Sequence, residues 1–211
     1  MAKRIFIFIL FTFTIYKFSF GSQNEIKEIL KTQTNFSEQQ ILNITTALEK
    51  YINSDNILYN LALLRVKEAI AKKVDYLLFY TTLIKKISTY KIAKILVDEF
   101  YPKISKSELE YSIQYLADQI EQGITFYEII QILKTSSNSN LPVKESLKFL
   151  SLINYARKNN ISPEVSLEII KNGISTKKSF QLIKENIIKS KHEIIEKELL
   201  KETKEKEIIE R

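Results

Sequence analysis

The 211 residues include no cysteine, no tryptophan, one histidine, three glycines and three prolines. Without cysteine there is no disulfide, no thiolate metal site, no cysteine nucleophile and no lipidated amino-terminal cysteine. Gly21 lies in a segment read below as removed, so Gly123 and Gly173 are left as the easy positive-φ positions. That scarcity excludes glycine-rich phosphate loops, a Gly-x-Ser-x-Gly nucleophile elbow and the many tight turns of a β-sandwich or barrel. What is abundant is Lys, Glu, Leu, Ile and Gln in helix-compatible patterns. With 45% hydrophobic and 27% charged residues, the chain is long enough for one compact domain or two small ones. The expected fold class is all-α: short helical hairpins stacked as an irregular α-solenoid or bundle, with a long charged C-terminal helix.

Residues 1–21 read as an export signal. A basic start at Lys3-Arg4 precedes an apolar run from Ile5 to Tyr16, and Ser19-Phe20-Gly21 supplies a small-x-small site before Ser22. The apolar run is shorter than the roughly 20 residues a bilayer demands. The alternative is an uncleaved anchor over residues 5–20, with Lys17 snorkelling to the interface. Both readings place the body outside the cytoplasm; in a bacterial host that is the periplasm or cell surface, with the inner membrane as tether if the segment stays. The formal charge of +7 falls to an ordinary +4 without residues 1–21, and with export this argues against a nucleic-acid partner.

The body carries a recurring helix-start pattern. Residues 160–174 read NISPEVSLEIIKNGI and residues 173–187 read GISTKKSFQLIKENI; the same frame fits GITFYEIIQILK from Gly123, NLPVKESLKFL from Asn140 and KISTYKIAKIL from Lys86, with echoes at Val74-Asp75 and Ile104-Ser105. In four of the five copies a Ser or Thr (Ser88, Thr125, Ser162, Ser175) is placed to cap the orphan amides of a first turn. Pro163 falls at the first helical position. Thr125 with Glu128 and Ser105 with Glu108 have capping-box spacing. Gly123 and Gly173 are read as left-handed residues ending the preceding helices. The pattern predicts helices near 24–34, 37–53, 55–72, 75–87, 88–100, 105–122, 125–134, 142–158, 162–172 and 175–208. The expected organisation is a Tyr-rich helical half over 22–134, a joint in SSNSNLP at 135–141, a repeat half over 142–188, and a charged helix over 189–211 with seven basic and seven acidic residues.

Chemistry-bearing patterns are few. His192 opens HEIIE, which matches the His-Glu-x-x-His zinc pattern except that Glu196 replaces the second imidazole. No third nitrogen or sulfur ligand exists, and a Ser-His-Asp triad would require His192 to meet a serine that no Gly-x-Ser-x-Gly elbow is there to present. Carboxylate pairs at Asp98-Glu99, Glu108-Glu110 and Asp118-Glu121 are the remaining candidates for acid/base work on a glycan. Tyr76, Tyr80 and Tyr90 with Lys91 form a stripe with the spacing of half-buried core residues and, secondarily, of a protein-binding surface. No catalytic, cofactor-binding or metal residue is assigned, and no cofactor is expected. The expected function is an exported, non-enzymatic helical-repeat scaffold binding another protein in the cell envelope, with the membrane reached through residues 5–20. An envelope hydrolase using a carboxylate pair and a membrane-anchored structural protein are the alternatives.

Overall fold

The computed structural model describes residues 23–52 and 55–209. The export segment 1–21 and its cleavage point before Ser22 lie outside the described residues. Among those described there is no strand and there are nine α-helices: α1 (Gln23–Gln33), α2 (Glu38–Ile52), α3 (Asn56–Ala71), α4 (Tyr76–Phe100), α5 (Lys106–Glu121), α6 (Phe126–Asn138), α7 (Val143–Lys158), α8 (Pro163–Ser175) and α9 (Phe180–Ile209). The all-α class expected from composition is the observed one.

Substantial contacts run between helices two apart and between chain neighbours other than α5 and α6. The chain therefore zigzags between two layers, α1-α3-α5-α7-α9 on one side and α2-α4-α6-α8 on the other, in the manner of a short α-solenoid. The core is a continuous strip between the layers, running from Ile26 and Leu30 through Tyr90, Leu116, Ile132 and Leu150 to Ile183 and Ile187. Tyr101 Oη and Ser146 Oγ, 2.6 Å apart, tie the end of α4 to α7, and Ser137 Oγ donates to the Phe100 carbonyl at 3.0 Å.

Five junctions share one device. At Lys73, Gly123, Asn140, Asn160 and Lys177 the backbone is left-handed, with φ of 52°, 90°, 57°, 59° and 55°. The next amide reaches back five residues in each case: Val74 to Ala69, Ile124 to Gln119, Leu141 to Ser136, Ile161 to Ala156 and Lys178 to Gly173, all at 2.9–3.2 Å. These are Schellman closures, which satisfy carbonyls the helix end would otherwise orphan. The residue after the left-handed position is apolar at four of the five and packs inward, as Ile124 and Ile161 do with 2% and 3% exposure. Then comes the cap of the following helix: Asp75, Thr125, Ser162 and Ser179 each accept from first-turn amides. The capping boxes at Ser105/Glu108 and Thr125/Glu128 form as their spacing predicts.

Two expected boundaries are corrected. Helices predicted over 75–87 and 88–100 are one helix, α4, and Ser88 caps nothing. Serine favours a cap but does not stop a helix, and Lys86 and Ile87 ahead of it are buried on the inward stripe of α4, where continuing the helix keeps them. Likewise Gly173 does not end a helix and Ser175 does not start one: α8 runs through Gly173 to Ser175 and closes with Thr176 and left-handed Lys177, and Ser179 is the cap of α9. Gly173 is small for another reason: a Cβ there would sit 2.3 Å from Ile183 Cγ1, so glycine lets α9 press against α8. The real repeat thus aligns Asn160-Ile161-Ser162 with Lys177-Lys178-Ser179. Helix α6 also extends past the predicted 134 to Asn138, and Ser139 to Leu141 make the turn.

Candidate functional site

A recess lies between α3, the start of α4 and the end of α5, a cleft of about 300 Å³. Its position follows from the α3–α4 junction. Lys73 and Val74 close α3, and Asp75 Oδ1 accepts from the Leu77 and Leu78 amides at 3.0 and 3.2 Å, which fixes the phase of α4. That phase turns Phe79 and Leu83 inward and leaves Leu77 and Leu78 outside, 68% and 56% exposed. Ala69, Val74, Phe79 and Leu83 make an apolar floor, with Leu78 at the rim.

The walls are charged, and every cation in them is paired. Arg65 Nε donates to Tyr90 Oη at 2.6 Å and Arg65 Nη1 to Glu68 Oε2 at 2.7 Å, while Lys72 Nζ holds Glu68 Oε1 at 2.6 Å. Across the cleft, Lys86 Nζ donates to Asp118 Oδ1 at 2.7 Å and Glu121 Oε2 at 2.8 Å, and lies 5.5 Å from the centre of the Tyr90 ring. Burial works to strip the Lys86 proton, but the two carboxylate bonds outweigh it and its pKa is raised. Arg65 is raised in the same way, its bonds to Tyr90 and Glu68 overcoming burial. Burial holds the Tyr90 phenol up, against the opposing pull of Arg65. Bonds from Lys72 and then Arg65 hold Glu68 below the ordinary carboxylate range. The lysine is thus an ammonium rather than a nucleophilic amine, and Glu68 is an anion rather than a proton donor. A second recess of about 450 Å³ on the far side of Val74 and Phe79 mixes polar groups such as Gln33, Asn35 and Asp75 with the apolar Phe36 and Ile70.

The sequence-predicted residues are distributed as follows. Asp118 and Glu121 do meet, but on Lys86, so they serve as its counter-ions. Asp98 is bound by Lys94 at 2.7 Å, Glu99 is exposed, and Glu108 is committed to the Ser105 cap, with Glu110 half-buried on the same helix. His192 and Glu196 are exposed on α9, and among the described residues no group of three His, Asp or Glu side chains is arranged to hold a metal. Of the tyrosine stripe, Tyr90 is buried, and half-buried Tyr76 and Tyr80 stack at 5.9 Å, with Phe36 edge-on to Tyr76 at 5.6 Å. Lys91 is exposed. Sequence reasoning missed Arg65, Lys72 and Lys86. The usable signal was phase: once α4 is continuous, Leu83, Lys86, Ile87 and Tyr90 fall on one inward stripe, which makes Lys86 the buried member of the Lys85-Lys86 pair.

Among the described residues no helix is long and apolar enough to cross a membrane. Comparison with protein-family models, curated proteins and solved structures finds no match to the chain.

Proposed function

We propose that the chain is an exported helical-repeat scaffold that binds another protein in the cell envelope through the α3–α4–α5 cleft. The observation carrying this reading is the apolar floor of Ala69, Val74, Phe79 and Leu83, open to solvent beneath exposed Leu78 and framed by closed ion pairs. Such a recess accepts an apolar side chain of a partner, and the polar rim excludes water around it. The signal-like residues 1–21 and the solenoid layout support export and scaffolding respectively.

Affinity capture from envelope extracts with wild-type protein and the Leu78→Asp variant tests it. Leu78 is already exposed, so the variant keeps its melting temperature, and the specific partner is expected to fall at least tenfold in recovery. Equal recovery by a natively melting Leu78→Asp protein would overturn the cleft as the binding site. Amino-terminal sequencing from the native host should begin at Ser22; an intact Met1 or Ala2 in the membrane fraction overturns cleavage.

A further inference from the structure

Residues 23–142 contain fourteen basic and fourteen acidic side chains, whereas residues 143–192 contain ten and four. Of those ten, only Arg157 forms an ion pair with a described carboxylate, Glu128. The others are not scattered. On α7, Lys144, Lys148, Ser151 and Tyr155 recur at i, i+4, i+7 and i+11, one outward stripe. Helices α5 and α9 flank α7 in the same layer. The Lys144 ammonium lies over Tyr111 of α5, 5.8 Å from the ring centre, and that of Lys184 of α9 over Tyr155 at 4.6 Å. Tyr115 lies beside Tyr111, their ring centres 6.0 Å apart. On α9 the adjoining stripe is Phe180, Lys184, Ile188 and Lys191, with the Phe180 ring 6.1 Å from Phe149. Tyr111, Phe180 and Ile188 are 45%, 37% and 37% exposed. The α5 carboxylates on this side are engaged, Glu108 by Ser105 and Asp118 by Lys86. Glu145 and Glu185 sit on the flanks of α7 and α9, off the two stripes.

We infer that this α5–α7–α9 face rests on an anionic bilayer surface. Protein interfaces are enriched in arginine and depleted of lysine, because a guanidinium fork reads a fixed partner and a hydrated ammonium does not. The stripes hold four lysines and no arginine. Lysines without carboxylate partners suit a diffuse field of phosphate headgroups, where each adds to the attraction without needing a defined geometry. Half-exposed tyrosines present an apolar ring and a wet hydroxyl, the arrangement that sits at headgroup level, and Phe180 with Ile188 supplies the shallow apolar contact.

Co-sedimentation of the full chain with phosphatidylglycerol/phosphatidylcholine vesicles, against pure phosphatidylcholine, tests this. Residues 5–20 are apolar and add to both backgrounds alike, so the readout is the excess of anionic over neutral binding. Replacing Lys144, Lys148 and Lys184 together by Gln should cut that excess about 100-fold, at roughly fivefold per lysine. Replacing Lys91 and Lys134, on the opposite layer, by Gln should leave it unchanged. Ile188→Ser should lower binding to the anionic vesicles about tenfold, because the lysines bring this face to the charged surface and Ile188 then enters it, an effect that attraction to a polyanion alone does not predict. Circular dichroism confirms that each variant is folded. Wild-type binding by the folded triple variant overturns the proposal. So does equal binding to soluble polyglutamate with no effect of Ile188→Ser, which would make the face a docking site for an acidic protein.

Discussion

The two stretches 23–142 and 143–192 are built with the same Schellman-and-cap junction but place their charges differently. In the first, cations and carboxylates are equal in number and six of the fourteen cations form ion pairs with described carboxylates, among them Arg65 and Lys72 on Glu68, Lys86 on Asp118 and Glu121, and Lys94 on Asp98 and Asp55. Lys86 links α4 to α5 and Lys94 links α4 to Asp55, the cap of α3, while the Glu68 pairs lie along α3 itself. In the second, one clamp, Arg157 to Glu128 and the Gly123 carbonyl, joins α7 to the start of α6. The remaining cations point outward. The same lysine-rich composition thus gives an internal ion-pair network in one stretch and a cationic surface in the other. The difference lies in whether helical phase puts a carboxylate within reach.

Substitution of one lysine from each stretch should separate them most sharply. The Lys86 side chain is 10% exposed and both its partners face it. Lys86→Ala leaves two carboxylates facing each other without their cation and should cost about 3 kcal/mol. Lys148→Ala, on the exposed stripe of α7, should stay within about 0.5 kcal/mol. Urea unfolding of both variants checks the contrast, and similar costs would erase it. A smaller effect follows at alkaline pH. Lys86 and Tyr90 have raised pKa values, so each adds stability that is complete below the ordinary 10.5 and 10.0 and is lost as pH rises through the higher folded value. Melting should therefore fall more steeply above pH 10 for the wild type than for a Lys86→Met/Tyr90→Phe variant. Parallel profiles would show that the network does not control the alkaline limb.

Sequence revealed the junctions better than the site. Thr125, Ser105, Ser162 and Asp75 were recognisable caps because a short polar side chain there stands beside an inward apolar residue. Gly123 and Asn160 are residue types that accept a left-handed backbone. Ser88 misleads because its cap signal has no stop signal before it; Ser175 misleads because Gly173, a residue type that often stops a helix, is there for close packing against Ile183 instead; and Lys177 conceals a real stop behind a residue type that seldom adopts one. The cleft was out of reach for a different reason. Tyr90 lies 25 residues from Arg65, and Asp118 lies 32 from Lys86, so their meeting depends on how α3, α4 and α5 pack. Single-helix periodicity carries no record of that packing.

The smallest expected effect concerns what the two stretches share. Lys73 closes α3 in the first and Lys177 closes α8 in the second, at nearly the same positive φ, 52° and 55°. An L-residue pays about 1–2 kcal/mol for that conformation, and glycine avoids most of it while losing roughly 0.5–1 kcal/mol through the freer unfolded chain. Lys73→Gly and Lys177→Gly should each stabilise by about 0.5–1 kcal/mol, a rise in Tm of about 1–4 °C for a chain this long. Asn140→Gly and Asn160→Gly should give only a few tenths of a kcal/mol, since asparagine already tolerates the left-handed region. If the two lysine sites respond alike and the two asparagine sites barely respond, the junction is a common unit and the stretches differ in charge alone. A gain at Lys73 with a loss at Lys177 would instead mean that the α8–α9 turn, which has Lys178 where the other four have an apolar residue, is held by something other than the shared closure.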